Sequence, residues 1–289
     1  MLSVCIPTYN YDVSILIDAL LFQKKQFDFS IEILVYDDFS APPIHIKNSE
    51  ITLITSTGNY GSIYGRKQLA QKAKYENLLF LDADVLLGTK NFLKEYVRFL
   101  NTSYEIIYGG ISYRTEKPLE GILRWKYGKS REAKKATQRM ELSYQNLISM
   151  GFLIKKDIFY KVYDRIHDVG YGGDILISSI INSLGIQIKH IDNPVIHMGL
   201  ESNDSFYKKT LIGIENTVTL YKTGKIAIES RPIISVFYNL HQIKIDRLTA
   251  CFIRMIKFML LRNMNSTNPS LLGFDLLKLE HFIDYFYKD

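Results

Sequence analysis

The chain has 289 residues, of which 47% are hydrophobic and 23% are charged, and its formal net charge is +6. This composition is that of a folded globular protein, so it excludes a disordered or low-complexity chain. The two cysteines, Cys5 and Cys251, lie far apart and indicate neither a disulfide framework nor a cysteine-rich metal site, so a reducing compartment is expected.

The N-terminus, MLSVCIPTYN, has no basic segment before an apolar one, so we expect no signal peptide. Further along, no apolar run reaches the ~18 residues that span a bilayer. The expected location is cytoplasmic, with peripheral attachment to the inner face of the cell membrane as an option. The positive net charge is compatible with nucleic acid, an anionic membrane or anionic substrates as partners, and also with a basic surface of no specific use.

Short β-rich runs alternate with helical patterns in the first 110 residues. The predicted strands are Leu2–Ile6, Ile31–Tyr36, Ile51–Ser56, Leu78–Leu81 and Ile106–Tyr108. The predicted helices are Val13–Gln23, Ser62–Tyr75 and Asn91–Leu100. This alternation predicts an α/β fold with a mostly parallel central sheet flanked by helices. Such a sheet binds its ligand beyond the carboxyl ends of its strands, where the polar residues of interest should lie.

The second half of the chain begins with a basic segment of weak periodicity, residues 112–145, which predicts an excursion from the sheet that is helical in part. The sheet is expected to resume in the short strands Ser149–Ile154, Ile186–Ile191 and Pro194–His197. The expected helices begin at Lys156 and Asp174 and span Ser205–Thr223.

The last part of the chain contains an amphipathic helical pattern, DRLTACFIRMIKFMLLRN. Its cations fall within one half of a helical wheel and are Arg247, Arg254, Lys257 and Arg262. The other half carries Leu248, Phe252, Met255, Ile256 and Met259. A basic face opposite a face rich in Met and Phe predicts a helix that lies in an anionic membrane interface. The alternative is a helix that packs on the domain with its charges in solvent.

Two carboxylates interrupt an apolar run after the fourth predicted strand, in LLFLDADVLL. Asp82 and Asp84 are unfavourable in such a run unless a cation or hydrogen bonds compensate them. In an extended segment, residues i and i+2 point to the same side, so both carboxylates are expected to face one cleft and to share a hard divalent cation with its phosphate ligands. A capping role for Asp84 before the next helix is the alternative.

Other predicted strands also end in polar residues. Asp37 and Asp38 end the second strand, where a carboxylate can accept a base N–H, with an Asx-type turn to Ser40 as the alternative. After the first strand, Tyr9 can stack on a base. The segment GNYGSIYGRKQLAQKA offers glycines for close backbone approach and Arg66 for a diphosphate. The alternative for Arg66 is a structural ion pair.

In the order SVCIPTYN, ILVYDDFS, GNYGSIYGRKQLAQKA and LLFLDADV, these motifs resemble those of the family 2 glycosyltransferases, which have the GT-A nucleotide-diphospho-sugar fold. The later segments GYGGDILIS and IKHIDNPVIHMGLE resemble the acceptor-side motif of a subgroup that acts in bacterial surface-polysaccharide synthesis. The resemblance implies a glycosyltransferase domain over residues 1–225, with a nucleotide-binding half, 1–110, and an acceptor half, 111–225. A helical C-terminal extension, 226–289, would follow.

The resemblance implies a role for each motif position in binding a UDP-sugar and Mn²⁺ or Mg²⁺. The residues expected to bind the nucleotide-sugar are Pro7, Thr8, Tyr9, Asn10, Asp37, Asp38, Asn59, Gly61, Arg66, Asp82 and Ala83. Within this set, Asp38 with Asp37 would contact the uracil or the adjoining ribose, and Asp82 the ribose. Asp84 and His197 would hold the metal ion at the diphosphate, and a buried structural histidine is the alternative for His197.

Asp174 matches the catalytic aspartate of the family, which is the general base for the acceptor hydroxyl. The family usually has Gly-x-Glu-Asp at this place, whereas this chain has Gly172-Gly173-Asp174. Either the loop is one residue shorter or the glutamate is lost, and Asp174 is the only carboxylate in GYGGD. Together with the two glycines, Arg124 and Trp125 are expected on the acceptor side.

These matches imply an inverting glycosyltransferase with a glycan or lipid-linked acceptor. Asp174 would take the proton of the acceptor oxygen, and the metal at Asp84 would neutralise the leaving nucleoside diphosphate. Two other functions stay open: a weak or inactive binding protein for nucleotide-sugars or glycans, and a nucleotidyltransferase. The lack of glycine in IPTYNY counts against the latter. Nucleic acid is not expected as a partner, because the basic middle segment has no interleaved aromatic pattern.

Overall fold

The computed structural model describes residues 1–26, 29–141, 143–145, 147–166 and 172–288. The chain divides into two compact units. Unit 1 comprises Met1–Arg114, Ala133–Arg165 and Leu184–Gly199. Unit 2 comprises Thr115–Glu132, Ile166–Ser183 and Leu200–Asp289.

The strands all belong to unit 1. In chain order they are β1 (Leu2–Thr8), β2 (Ile31–Asp37), β3 (Ile51–Thr55), β4 (Asn77–Leu81), β5 (Val85–Leu87), β6 (Ile106–Tyr108), β7 (Ile111–Ser112), β8 (Gly151–Lys155), β9 (Ile188–His190) and β10 (Val195–His197). The α-helices in chain order are α1 (Ser14–Lys24), α2 (Ser62–Lys72), α3 (Phe92–Val97), α4 (Ile122–Tyr127), α5 (Ala136–Met140), α6 (Lys156–Tyr163), α7 (Asp174–Ser183), α8 (Asn203–Lys222), α9 (Pro232–Gln242), α10 (Asp246–Met264) and α11 (Leu271–Phe286). A π-helical turn, Gly128–Glu132, follows α4, and a 3₁₀ turn, Ile228–Ser230, precedes α9.

In the described part of the chain, seven strands form one sheet in the order β3-β2-β1-β4-β8-β6-β9. Strand β1 pairs in parallel with both β2 and β4, so the carboxyl ends of these three strands lie at one edge. Strand β8 is antiparallel to β4 and β6. Every residue of β1 is buried, as expected of a central strand with both faces covered. The predicted mostly parallel α/β sheet is confirmed.

Helix α2 packs closely on this sheet because of a glycine. A Cβ placed on Gly65 would lie 2.9 Å from Cδ1 of Tyr36, so any larger residue would force the helix away from β2. The sequence alone suggested glycines for close backbone approach in this segment, and here the close approach is between a helix and the sheet.

The apolar run around Asp82 is not one strand. Strand β4 ends at Leu81, a turn covers residues 83–84, and β5 belongs to a second sheet of order β5-β10-β7. The extended geometry expected at Asp82 and Asp84 is therefore wrong, because the chain leaves the first sheet at this point. The two acids thus lie where the chain passes from one sheet to the other, with the Asp82 N–H donating to the Met150 carbonyl oxygen at 2.9 Å.

A buried arginine connects the ends of β6 and β9 in unit 1. Arg139 is 2% exposed, and its Nη2 donates to the carbonyl oxygens of Gly109 at 3.2 Å and Ile191 at 2.6 Å. Its Nε donates to Nδ1 of His190 at 3.3 Å. The Nε2 of His190 lies 3.0 Å from the carbonyl oxygen of Ser143, which can only accept, so His190 is neutral with its proton on Nε2.

Unit 2 is helical in its described residues. Helices α10 and α11 pack together with α8 around the buried side chains of Leu123, Phe206, Met264, Phe274 and Leu277. Arg254 bonds to Asp284 and Lys257 bonds to Glu280, so α10 and α11 are antiparallel. Within the described residues, no helix has the length and hydropathy that crossing a bilayer requires.

The His190 site predicts a loss of stability in mild acid. Burial, with the nearby Arg139 guanidinium, lowers the pKa of His190 from 6.5 to about 4. The unfolded chain therefore takes up a proton between these values that the folded chain does not, so stability falls as the pH drops from 6.5 towards 4. A shift of this size corresponds to about 3 kcal/mol. Urea denaturation at several pH values measures it.

His190→Asn is the informative variant, because it removes the titrating group. Its free energy of unfolding should change less than that of the wild type between pH 6.5 and 4, even if the variant is less stable at every pH. His45→Asn is the matched control, since His45 is exposed and should keep the wild-type slope. Equal slopes in the wild type and His190→Asn would contradict the prediction.

Candidate functional site

An open cleft of about 280 Å³ lies at the carboxyl ends of β1, β2 and β4 in unit 1. Its lining residues are Pro7, Thr8, Tyr9, Tyr11, Tyr36, Asp38, Asn59, Gly61, Ser62, Gly65, Ala83 and Asp84. The structure thus brings together residues predicted from the sequence, namely Pro7, Thr8, Tyr9, Asp38, Asn59, Gly61, Ala83 and Asp84. This is the position at which a parallel sheet binds its ligand.

Asp38 shapes one wall of the cleft through the backbone. Its Oδ1 accepts the N–H of Tyr60 at 2.9 Å and its Oδ2 accepts the N–H of Gly61 at 2.7 Å. Gly61 has φ of +85°, a conformation that favours glycine, and α2 begins at the next residue. The buried carboxylate therefore holds the loop that leads into α2, so the wall of the cleft depends on this one side chain.

Asp37 is the last residue of β2 and Asn10 lies in the bend after β1, and neither lines the cleft. The Asp37 carboxylate accepts the backbone N–H of Ser40 at 2.9 Å and of Ile44 at 3.2 Å. Asn10 accepts the N–H of Ala41 through its Oδ1 at 2.8 Å. These bonds have the form of the Asx-type turn that was the alternative for Asp37, and they order the loop between β2 and β3.

Arg66 and Asp82, each next in sequence to a residue that lines the cleft, form an ion pair. Arg66 is 3% exposed, and its Nη2 donates to Oδ1 of Asp82 at 2.6 Å and to the carbonyl oxygen of Ser149 at 2.9 Å. Neither residue lines the cleft. The ion pair named as the alternative for Arg66 is present, and it compensates the Asp82 carboxylate at the end of β4.

Asp84 and His197 meet at the edge of the second sheet. His197 Nε2 lies 3.1 Å from Oδ2 of Asp84, and the backbone N–H of Met198 donates to the carbonyl oxygen of Asp84 at 2.8 Å. The antiparallel pairing of β10 with β5 places His197 opposite Val85, next to Asp84. Asp84 lines the cleft, while His197 is buried behind it.

The sequence reading missed Gly199, which makes the Asp84 arrangement possible. A Cβ at this position would lie 2.0 Å from Oδ2 of Asp84, so only glycine leaves room for the carboxylate. The signal in the sequence is the glycine two residues after the histidine in IHMG, but nothing local indicates that Asp84 comes to lie against it.

The Asp84 and His197 side chains fit a divalent cation that is held jointly with an anionic ligand. A carboxylate oxygen and an imidazole nitrogen are both ligands of Mn²⁺, and the oxygen also suits Mg²⁺. Among the described residues, no group of three or more His, Cys, Asp or Glu side chains could hold a metal by itself. Mg²⁺ is commonly bound by one or two carboxylates together with phosphates of the substrate, which is the arrangement that this pair allows.

In unit 2, Asp174 is the first residue of α7. The helix is preceded by Gly172, whose φ of +91° favours glycine and whose Cβ would lie 3.2 Å from Cα of Gly213 in α8. The carbonyl oxygen of Gly173 accepts the N–H of Ile177 at 3.1 Å. Residues 167–171, the first part of the glycine-rich turn, lie outside the described residues.

Arg124 and Trp125 have partners within unit 2. Arg124 is buried and forms hydrogen bonds of 3.0 Å from Nη1 and Nη2 to Oε2 of Glu132, and its guanidinium lies 5.1 Å from the ring centre of Phe206. The ring of Trp125 is half-buried, with the Lys129 ammonium 4.7 Å from its centre. These contacts connect α4 to the π-helical turn and to α8.

Comparisons with known proteins bear on the family and on the fold. The sequence model of Glycosyl transferase family 2 matches residues 3–163, more than half of the chain. A search of curated proteins gives no match. The mannosyltransferase PcManGT from Pyrobaculum calidifontis, solved with GDP-Man and Mn²⁺, is similar over 96% of this chain and 85% of its own, with a TM-score of 0.55 and 13% identity.

Glucosyl-3-phosphoglycerate synthase from Mycobacterium tuberculosis, solved with Mg²⁺ and UDP, is a second similar structure. The similarity covers 76% of this chain and 78% of that protein, with a TM-score of 0.51 and 13% identity. At such identities the likeness concerns the fold, and it shows that the expected GT-A type of α/β fold is present.

The Asp38 geometry predicts a loss of stability in Asp38→Asn. An amide has one oxygen and can accept from only one of the two backbone N–H groups, of Tyr60 and Gly61, while its NH₂ faces the other. Leaving a buried donor unsatisfied costs about 1–3 kcal/mol, which should appear as a lower midpoint in urea denaturation. Asp157→Asn is the control, since Asp157 is exposed, and its effect should stay within about 0.5 kcal/mol. Equal effects of both changes would contradict the role of Asp38.

Proposed function

Because the chain belongs to glycosyl transferase family 2, it is a glycosyltransferase that uses a nucleotide-sugar, and we propose that its donor is a UDP-sugar. We propose further that the acceptor is a glycan or a lipid-linked glycan of cell-surface polysaccharide synthesis. UDP and the acceptor class come from the family resemblance, and the observation that supports a nucleoside diphosphate in the cleft is the Asp84 carboxylate in its wall, 3.1 Å from His197 Nε2. This carboxylate would hold a divalent cation, which would supply positive charge to a diphosphate bound at the carboxyl ends of the strands.

In this proposal, the cleft binds the nucleotide through side chains of β1 and through the loop before α2. Tyr9 is 50% exposed at the cleft and offers a ring face for the base. Thr8 and Asp38 lie beside it, and Asp38 keeps the Tyr60–Gly61 amides ordered as the nucleotide enters. The roles proposed for Asn10, Asp37, Arg66 and Asp82 are to support this wall, in keeping with the hydrogen bonds that they make.

Asp84 would hold Mn²⁺ or Mg²⁺ with His197 behind it. When bound, the cation supplies positive charge that stabilises the leaving nucleoside diphosphate. The ring of Tyr113, edge-on to His197 with 5.5 Å between ring centres, helps to keep the imidazole in place.

Asp174 is proposed as the general base, from its place in the acceptor-side motif. Its carboxylate would take the proton of the acceptor hydroxyl while the oxygen attacks the anomeric carbon and the bond to the diphosphate breaks. Attack from the face opposite the leaving group inverts the anomeric configuration. General-base assistance of this kind contributes about 10²–10⁴-fold in rate. Residues 1–225 are proposed to contain both the nucleotide-binding and the acceptor-binding parts, with residues 226–289 as an extension.

Gly173, where the family usually has glutamate, favours a second candidate function. A chain without that carboxylate could bind nucleotide-sugars or glycans and turn them over slowly or not at all. Tight UDP-sugar binding with no product on any acceptor, and no donor hydrolysis with Mn²⁺, would favour this candidate.

For the donor, a thermal-shift screen of nucleotide-sugars with and without Mn²⁺ is the first experiment, because a ligand of the folded state raises the melting temperature.

The Asp84 site predicts that Asp84→Asn and Gly199→Ala both lose the Mn²⁺-dependent part of UDP binding. The first change removes the charge, and the second places a methyl group where Oδ2 of Asp84 lies. Calorimetric titration of UDP with and without Mn²⁺ measures this. With Mn²⁺ present, each variant should bind UDP at least about tenfold more weakly than the wild type does, a difference of about 1.4 kcal/mol.

Gly273→Ala is the matched control for Gly199→Ala, because a Cβ at Gly273 in α11 would meet its nearest atom, of Leu260, at 3.4 Å. Its UDP affinity should equal that of the wild type. Unchanged Mn²⁺-dependent binding in both site variants would contradict the assignment of the metal to Asp84.

For the base, Asp174→Asn should keep UDP and Mn²⁺ binding and lower the transfer rate by about 10²–10⁴-fold. The amide retains the size of the side chain and cannot take the proton. Proton NMR of the wild-type product should show the anomeric configuration opposite to that of the donor. A retained configuration, or an Asp174→Asn variant with the wild-type rate, would overturn this mechanism.

A further inference from the structure

The outward side of α10 is an apolar surface that no described residue covers. Its large side chains are between 62% and 79% exposed, and they are Leu248, Phe252, Met255, Phe258 and Met259. At 100° per residue these five positions fall on one half of the helix. We call this set the outward face. Large apolar side chains that cluster in this way mark an interaction surface.

The opposite side of α10 is occupied by unit 2 itself. Ala250, Ile253 and Met264 are buried. At the edges of this contact, Arg254 pairs with Asp284 at 2.7 Å and Lys257 pairs with Glu280 at 2.8 Å. Two of the four cations of α10, Arg254 and Lys257, thus attach α10 to α11. The packing leaves the outward face in solvent.

The charges around the outward face indicate what covers it. Residues 247–274 contain no Asp or Glu, and they contain four cations. On the helical wheel drawn from the sequence, Arg262 falls with the other cations because Phe258 is not counted in the apolar half. The exposed Phe258 extends the outward face past Arg262, which therefore lies between Met255 and Phe258 on this face. Arg262 is exposed and has no ion pair among the described residues. Arg247 lies at the edge of the face, with its guanidinium 4.0 Å from the ring centre of Tyr287.

An anionic lipid surface matches this combination. Its acyl region accepts Phe, Met and Leu side chains, and its headgroups attract exposed arginines at the same depth. A second copy that used the same face would bring Arg262 towards cations of its own kind, since an isologous interface presents the same patch twice. The chemistry therefore favours lipid over self-association.

We propose that the outward face of α10 inserts into the interface of an anionic membrane, with α10 parallel to the membrane plane. The inference rests on the proposed function, since a lipid-linked acceptor gives the enzyme a reason to bind there. Ile243 and Ile245, exposed in the segment just before α10, extend the apolar surface along the chain. Lys244 between them is exposed as well and adds a cation to this edge.

The test is flotation of the full chain with vesicles of phosphatidylcholine alone and of phosphatidylcholine mixed with phosphatidylglycerol. The wild type should float with the anionic vesicles. The double variant Met255→Glu with Phe258→Glu should bind them at least about tenfold more weakly than the wild type does. Both side chains are exposed, so folding should be unaffected. Arg262→Gln should reduce the preference for the anionic vesicles.

The matched control is Ile15→Glu with Phe22→Glu, two exposed apolar residues of α1 that change to the same added charge. This variant should float as the wild type does. Equal loss in both double variants would show a general charge effect and overturn the proposal. So would a wild type that does not float, or a Met255 and Phe258 variant that floats unchanged.

Light scattering separates self-association from lipid binding. A wild-type dimer that becomes a monomer in the Met255→Glu, Phe258→Glu variant, without any binding to vesicles, would assign the face to a second copy and overturn the lipid proposal. UDP and Mn²⁺ titration of the same variants is independent of the membrane. A variant that loses vesicle binding and keeps nucleotide binding therefore shows that the outward face acts in vesicle binding only. A wild type that does not bind the nucleotide would instead contradict the proposed function.

Discussion

The pairing of β10 with β5 is the constraint on which the candidate site depends. It takes the chain out of the main sheet directly after β4 and fixes Asp84 between two backbones. Met198 donates its N–H to the Asp84 carbonyl oxygen, and His197 lies against the Asp84 carboxylate. Gly199 supplies the space that this carboxylate occupies. A short second sheet thus determines where a charged oxygen meets the cleft at the end of the first.

Each acid near the cleft has its own compensation, and the kind of compensation separates their roles. Asp37 and Asp38 accept backbone N–H groups, so they order loops. Asp82 has the buried guanidinium of Arg66. Asp84 has the Nε2 of His197 at 3.1 Å, and an imidazole nitrogen is a group that commonly binds metal ions. Of these acids, Asp84 is therefore the one whose partner also suits a cation.

Within unit 2, the antiparallel pair of α10 and α11 turns an amphipathic sequence into a specific surface. Ion pairs with α11 use Arg254 and Lys257, while Arg262 stays exposed on the apolar side. The amphipathic pattern leaves two outcomes open, since an apolar half can pack inward or remain outside. In the described residues the apolar half remains outside, because Ile253 and Met264 on the other side of α10 already make its contact with the rest of unit 2.

From the sequence alone, the alternation of strands and helices and the polar residues at strand ends follow, because both depend on local periodicity and turn chemistry. The family resemblance rests instead on the quoted motifs and their order. Pro7, Thr8, Tyr9, Asp38 and Asp84 were placed at the cleft by that reasoning. Which acid faces which partner could not be derived in this way.

Only the tertiary structure decided that Arg66 pairs with Asp82 and that Asp84 meets a histidine 113 residues further along the chain. After the turn that splits LLFLDADVLL, β5 pairs with β10, a long-range contact without a local signal. The exposure of α10 has the same origin. Periodicity shows that a helix has two faces, but the packing of distant segments determines which face is buried.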